Sequence, residues 1–235
     1  MMDTVIFDGG NTKLILTPHD GRSIVAKYDE QNNFVWAKSY GYSFMSYGGY
    51  YCWATTASND EEGNLYLTGT HGDSAMFGNI MLRSPYNRYS PYNAKIDPDG
   101  NVLWAHSIQS CRWGQNYCES DLDEEGNFYC MGTIIDTVYF GDWQYIPSGK
   151  YEMYIASYHT DGALRWVKTS KGTSGYQYPA SIAVKQKDDL FVGARFSVDL
   201  EMDESVVYSS ASESGLIISL NNSIGIDDHF SGIPQ

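Results

Sequence analysis

Two kinds of residue in this chain could do chemistry: carboxylates in tight turns and tyrosines in long connections. The run Asp121-Leu122-Asp123-Glu124-Glu125-Gly126 matches the opening of a calcium loop. Oxygen ligands at alternate positions can surround a hard cation, and the glycine allows the sharp bend. Asp121, Asp123 and Glu125 are therefore candidate metal ligands, with calcium as the cation they would suit. The same loop carries Gly132 at its twelfth position, where a bidentate glutamate belongs. Related turns offer Ser58, Asp60, Glu62 and Gly63, and then Asp97, Asp99 and Gly100. Asp, Glu and Gly also favour plain hairpin turns for backbone reasons, so a metal-free turn is the competing expectation.

The chain holds 20 tyrosines, concentrated in segments 39–53, 84–93 and 174–178. Tyrosine and tryptophan on connections make flat amphipathic surfaces that suit sugars or peptides. The candidate ligand-binding residues are Tyr47, Tyr50, Tyr51, Trp53, Trp113, Tyr117, Tyr176 and Tyr178. A glycan or a protein is the partner this chemistry implies. Packing of the same rings within the core is the alternative.

Catalytic signals are sparse. The histidines, His19, His71, His106, His159 and His229, share no spacing. Nucleophile elbows, metalloprotease motifs and phosphate loops are all missing. A net charge of −14 makes carboxylate pairs common, so they do not by themselves indicate a glycosidase. The expectation is a protein that is not an enzyme. A carbohydrate-active enzyme using Asp60 or Asp123 as acid and base is the alternative. The same charge argues against nucleic acid, which is bound through clustered Lys and Arg. No apolar run reaches the length of a membrane helix, and the opening MMDTVIFDGGNTKLIL does not read as a secretion signal. Of the four cysteines, Cys52, Cys111, Cys118 and Cys130, the last falls at a strand position expected to be buried, and Cys111 and Cys118 share a loop and could pair or remain free thiols.

What positions these residues is a repeat of about 62 residues. The string SIVAKYDEQNNFVWAKS from Ser23 returns as YNAKIDPDGNVLWAHS from Tyr92 and as YIASYHTDGALRWVKT from Tyr154. A second unit, NDEEGNLYLTG from Asn59, returns as LDEEGNFYCMG from Leu122 and, degraded, as VKQKDDLFVGA from Val184. Val, Ile, Tyr, Phe and Trp dominate the arms, which predicts strands. Gly63, Gly100, Gly126 and Gly162 sit where a hairpin needs a left-handed residue. Asn32 and Asp188, the non-glycine equivalents, tolerate that conformation best. Each unit thus reads as two antiparallel hairpins, strands A to D, with a short extra segment from Phe77 between B and C.

The pattern D-x-x-G-N-hydrophobic-Y-x-x-G, then F-G, then A-K-x-D-x-x-G-x-x-x-W, resembles the SBBP family of bacterial β-propeller repeats, with a strand order similar to NHL-type blades. The third full copy departs from it, with Lys185 for Asp123 and Ser219 for Lys95. The resemblance implies an all-β fold, a β-propeller of about four blades, and an extracellular or cell-surface location. The blades would be a partial one at 1–41, then 54–108, 117–169 and an incomplete 179–225, with a polar tail at 226–235. The N-terminus is expected to supply only strands C and D. The D-to-A connections, 39–53, 108–117 and 170–178, would gather on one face. Unfinished first and last blades imply irregular closure, pairing of two chains, or membership of a longer protein. A purely structural module of a larger surface protein is a further alternative.

Overall fold

The computed structural model describes residues 3–7, 13–16, 21–42, 52–85, 89–110, 119–171, 175–202, 205–208 and 214–221. The chain is all-β, and its regular elements among these residues are antiparallel strands. An N-terminal hairpin pairs β1 (Asp3–Ile6) with β2 (Lys13–Leu16). The repeat, which gives the N-terminus only C and D, does not account for these two strands. A first sheet pairs β3 (Ser23–Tyr28) with β4 (Phe34–Tyr40). The second holds β5 (Cys52–Asn59), β6 (Leu65–His71), β9 (Ser90–Ile96) and β10 (Val102–Ser110), joined in that order. The third repeats the order with β11 (Glu119–Leu122), β12 (Phe128–Ile134), β15 (Glu152–Tyr158) and β16 (Leu164–Thr169). The fourth has β17 (Gln177–Gln186), β18 (Asp189–Phe196) and β21 (Ser214–Asn221). Among the described residues, no strand of the first sheet pairs with the fourth.

One turn chemistry recurs. Asp29, Asp60, Asp97 and Asp123 each open a turn closed four residues later by an asparagine. Asp123 accepts the backbone N–H of Asn127 at 2.8 Å and its side-chain amide at 2.8 Å. Asp97 does the same for Asn101 at 2.7 and 2.9 Å. The residue before each asparagine has positive φ: Asn32 at 62°, Gly63 at 81°, Gly100 at 80° and Gly126 at 76°. Asp188, at 57°, holds the corresponding place in the fourth sheet. The expected left-handed positions are therefore left-handed, and the aspartate spares the turn's N–H groups from going unpaired.

The extra segment between B and C is a hairpin in three successive units: β7 (Ser74–Phe77) with β8 (Ile80–Arg83), β13 (Val138–Phe140) with β14 (Trp143–Tyr145), and β19 (Asp199–Met202) with β20 (Ser205–Tyr208). Each reaches back to the preceding sheet. Gly41 and Tyr42 exchange backbone bonds with Met76 at 2.8 Å. β13 pairs directly with β10. Lys171 and Glu201 exchange bonds at 2.8 and 2.9 Å. Adjacent units are thus joined by main chain as well as by side chains.

The core lies between sheets, in three seams. Tyr40, Phe77, Tyr92, Ala94 and Ile96 fill the first, with Val25 against them. Tyr66, Trp104, Phe128, Cys130, Tyr154 and Tyr158 fill the second. Tyr129, Met131, Ile155, Trp166, Leu190, Val192 and Leu220 fill the third. Cys130 is buried as expected, and Cys52 is a buried free thiol whose pKa burial pushes up to about 11. Cys111 and Cys118 lie outside the described residues.

The repeated tryptophan crosses each seam. Trp36 donates its indole N–H to Pro98 O at 2.9 Å, Trp104 to Thr160 O at 3.0 Å, and Trp166 to Asp188 Oδ1 at 2.9 Å. Lysines reinforce the first two contacts, Lys27 at Pro98 O and Lys95 at Thr160 O. In the third sheet Ser157 stands where Lys95 would be. Arg165 fills the space, donating to Ser157 at 2.8 Å, to the Tyr129 hydroxyl at 3.0 Å and to Asp188 at 2.7 Å. A cation is kept at each seam although its position in the sequence changes.

Candidate functional site

The ends of the sheets differ. At one end sit the tight Asp-to-Asn turns. At the other, the B strands end and the A and C strands begin. Tyr151, Tyr176 and Tyr178 meet there across the seam between the third and fourth sheets. Tyr151 lies 4.9 Å from Tyr176 and 5.7 Å from Tyr178, centroid to centroid. Tyr176, just before β17, and Tyr178, within it, are parallel within 5° and 6.1 Å apart. Lys150 stands 5.2 Å over the Tyr176 ring and donates to its hydroxyl at 3.3 Å. Arg195, paired opposite Tyr178 in the sheet, lies 5.6 Å over that ring. Tyr176 is 40 % exposed, and both cations reach solvent. Two cations on one aromatic cluster stand out in a chain of net charge −14.

The backbone beneath the cluster is tightly held. Glu152 is fully buried and accepts Tyr145 Oη at 2.6 Å, Ser148 N and Oγ at 2.9 Å, and Gly149 N at 2.6 Å. It thereby fixes the segment that carries Lys150 and Tyr151. Burial, with the neighbouring Glu152, pushes Tyr145 up to about 12, so it donates rather than ionises. Gln177 donates to Lys171 O at 2.8 Å and Asp199 O at 3.0 Å, and its side-chain oxygen accepts from Ser170. Tyr176 and Ser197 exchange bonds at 2.9 Å. Gly175 is required by that approach, since a Cβ there would lie 1.7 Å from Ser197 O. Beside it Val198 has φ +75°, with Asp199 N bonded to Ser197 O at 3.1 Å across it. This is a γ-turn of the strained hand on a β-branched residue. Strain of this kind persists only where the surroundings enforce it.

Of the aromatic candidates, Tyr176 and Tyr178 are brought together. Trp53 lies apart at the same end, 43 % exposed and 5.5 Å from Tyr89. Tyr47, Tyr50, Tyr51, Trp113 and Tyr117 lie outside the described residues. The repeat does not point to Tyr151, Lys150 and Arg195, because none lies in a D-to-A connection and Tyr151 precedes a C strand. A signal was available: Tyr89 and Tyr151 hold the same repeat position, and each touches an aromatic of an A strand.

The carboxylate candidates are at the opposite end and face different partners. Asp123 is buried, accepting Glu125 N, Asn127 and the Tyr129 hydroxyl at 2.8 to 3.0 Å. Asp121 accepts Leu122 N at 2.9 Å and reaches the fourth sheet at Val184 N, 2.8 Å away. Glu125 pairs with Lys187 at 2.8 Å, and that pair draws its carboxyl below the usual range. Among the described residues no three His, Cys, Asp or Glu side chains converge as a metal ligand set. Asp60 also caps its turn. Burial raises its pKa, but Asn64 hydrogen bonds and Lys95 at 3.3 Å outweigh this and leave it below the ordinary value. A general acid needs the opposite shift. His71 is buried, bonded to Gly72 O at 2.6 Å and Ser107 Oγ at 2.8 Å, and burial lowers its pKa to about 4.

No sequence-family profile matches this chain, and no curated protein matches it. Among solved structures, the crystal structure of a protein of unknown function from Bacteroides caccae is similar over 87% of this chain and 70% of its own. The identity is 13% and the TM-score 0.29, a likeness too loose to carry an argument. Among the described residues, no helix is long and apolar enough to cross a membrane.

Proposed function

We propose that this chain is a β-propeller-type binding module of about four units, acting without catalysis at the cell surface, and that it recognises a glycan at its aromatic end. The observation that carries this reading is the cluster of Tyr151, Tyr176 and Tyr178 flanked by Lys150 and Arg195. Sugar rings stack on flat aromatic faces, and tyrosine hydroxyls and cations at the rim can hydrogen-bond their substituents. The support beneath the cluster, through Glu152 and Gln177, lowers the cost of ordering the rings on binding. The seams with recurring tryptophan contacts support the propeller reading, as does the resemblance to SBBP repeats. The surface location rests on that resemblance alone.

A glycan array and a peptide array probed with the 235-residue chain test the proposal. Binding of a saccharide class that weakens at least tenfold in Tyr176→Ala and Tyr178→Ala, with unchanged melting temperature, is the expected result. Retention of peptides alone would redirect the site to a protein partner. Absence of any ligand, or binding indifferent to both substitutions, would refute it.

A further inference from the structure

The repeat gives each sheet a forward face, toward the next sheet, and a rear face, toward the one before. On the forward face, Tyr66 and Tyr129 hold one position in successive sheets and are fully buried. Phe191 holds that position in the fourth sheet and is 44% exposed. Asn93 and Ile155 hold a second position, both fully buried, whereas their equivalent Ile217 is 76% exposed. Met131 and Met153 fill the forward face of the third sheet, and their equivalents Gly193 and Gly215 leave the fourth flat. The rear face of the first sheet is only half-covered: Ile24 and Ala26 are half-buried, whereas their equivalents Tyr92 and Ala94 are fully buried. Tyr28 is 42% exposed, whereas its equivalents Ile96 and Tyr158 are 0% and 4%. Phe7 stacks on Phe34 at one end of this face. The first and fourth sheets therefore present the two open halves of a seam that forms three times between successive sheets.

The internal seams specify how these halves meet. Val25 packs against the first-seam cluster that holds Ile96. Asn93 hydrogen-bonds Tyr158 in the second. Ile155 and Leu220 share the third apolar cluster. The same register places Ile217 against Tyr28. Within one chain these two residues remain exposed together, so its own first sheet does not cover its fourth. We propose that a second copy of this chain docks head to tail, the rear face of its first sheet against the forward face of the fourth. Two such contacts related by a two-fold axis close a ring of two chains. Burial of Ile217 and Phe191 supplies the apolar gain, and Gly193 and Gly215 allow close approach of the sheets. Each copy carries a net charge of −14, so added salt strengthens the association. The assembly does not depend on the ligand reading.

Cysteine cross-linking tests the register, with the unsubstituted chain as control for its native thiols. Tyr28→Cys and Ile217→Cys chains are oxidised separately, mixed, and combined in one double variant. The expected result is a reducible product of two chains in the mixture and the double variant, and none from either single variant. Cross-linking by Ile217→Cys alone would mean tail-to-tail pairing and overturn the proposal. A double variant that closes within one chain would mean ring closure by a monomer and overturn it equally. Absence of any product above control, with thiols that a small alkylating reagent modifies freely, would overturn it as well.

Discussion

Trp104 ties two sheets together with one hydrogen bond and one ring. Replacing it by Phe removes the bond to Thr160 O and keeps most of the apolar contact. The expected loss in chemical denaturation is about 1 kcal/mol. Trp104→Ala also leaves a cavity in the seam and should cost about 3–5 kcal/mol. Equal losses for the two variants would mean that the N–H carries no weight. His71 gives a pH dependence of defined sign. Its pKa is lowered from 6.5 to about 4 in the fold, so the unfolded chain binds the proton more readily. Stability from this group is complete above about pH 6.5 and is lost as pH falls toward about 4. His71→Ile, which copies Ile134 at the same repeat position, should flatten that part of the melting-temperature profile. Left-handed Asn32 and Asp188 could be read from sequence because few side chains tolerate that conformation. The role of Arg165 could not, since it replaces a lysine from a different strand position.

The inserted hairpins and the segments near the tyrosines act as elements. Hairpins β7–β8, β13–β14 and β19–β20 reach back to the preceding sheet through backbone bonds, which leave no side-chain pattern. The sequence therefore marked an extra segment without showing what it joins. Strands A to D were legible, because alternation and Asp-Gly turns bound them. The tyrosine cluster was legible by halves: Tyr176 and Tyr178 lie in an expected connection, whereas Tyr151 comes from another sheet. Val198 gives this region a test of strain. Val198→Gly should stabilise the fold by about 1 kcal/mol, as relief of the positive φ outweighs glycine's entropy. A fall in melting temperature would show that the valine side chain matters more than its backbone. The Asp121 to Glu125 turn gives another test. Its carboxylates are bonded to protein donors, so a chelator should leave the melting temperature unchanged. A drop on chelation, restored by calcium, would place a metal there.

At the scale of the molecule, the repeated seam is the organising unit. Three seams are complete, and the Phe191–Ile217 face and the Tyr28 face are open. The repeat length made stacked units legible in the sequence. It does not show whether the stack closes, because closure depends on small angles between sheets and on which faces are left open. Each forward face needs a rear face against it. Sedimentation velocity over a hundredfold concentration range tests it most directly. The expected species is two 26.4 kDa chains, reduced to one chain by Ile217→Lys. A single chain at every concentration, unaffected by that substitution and by salt, would contradict it.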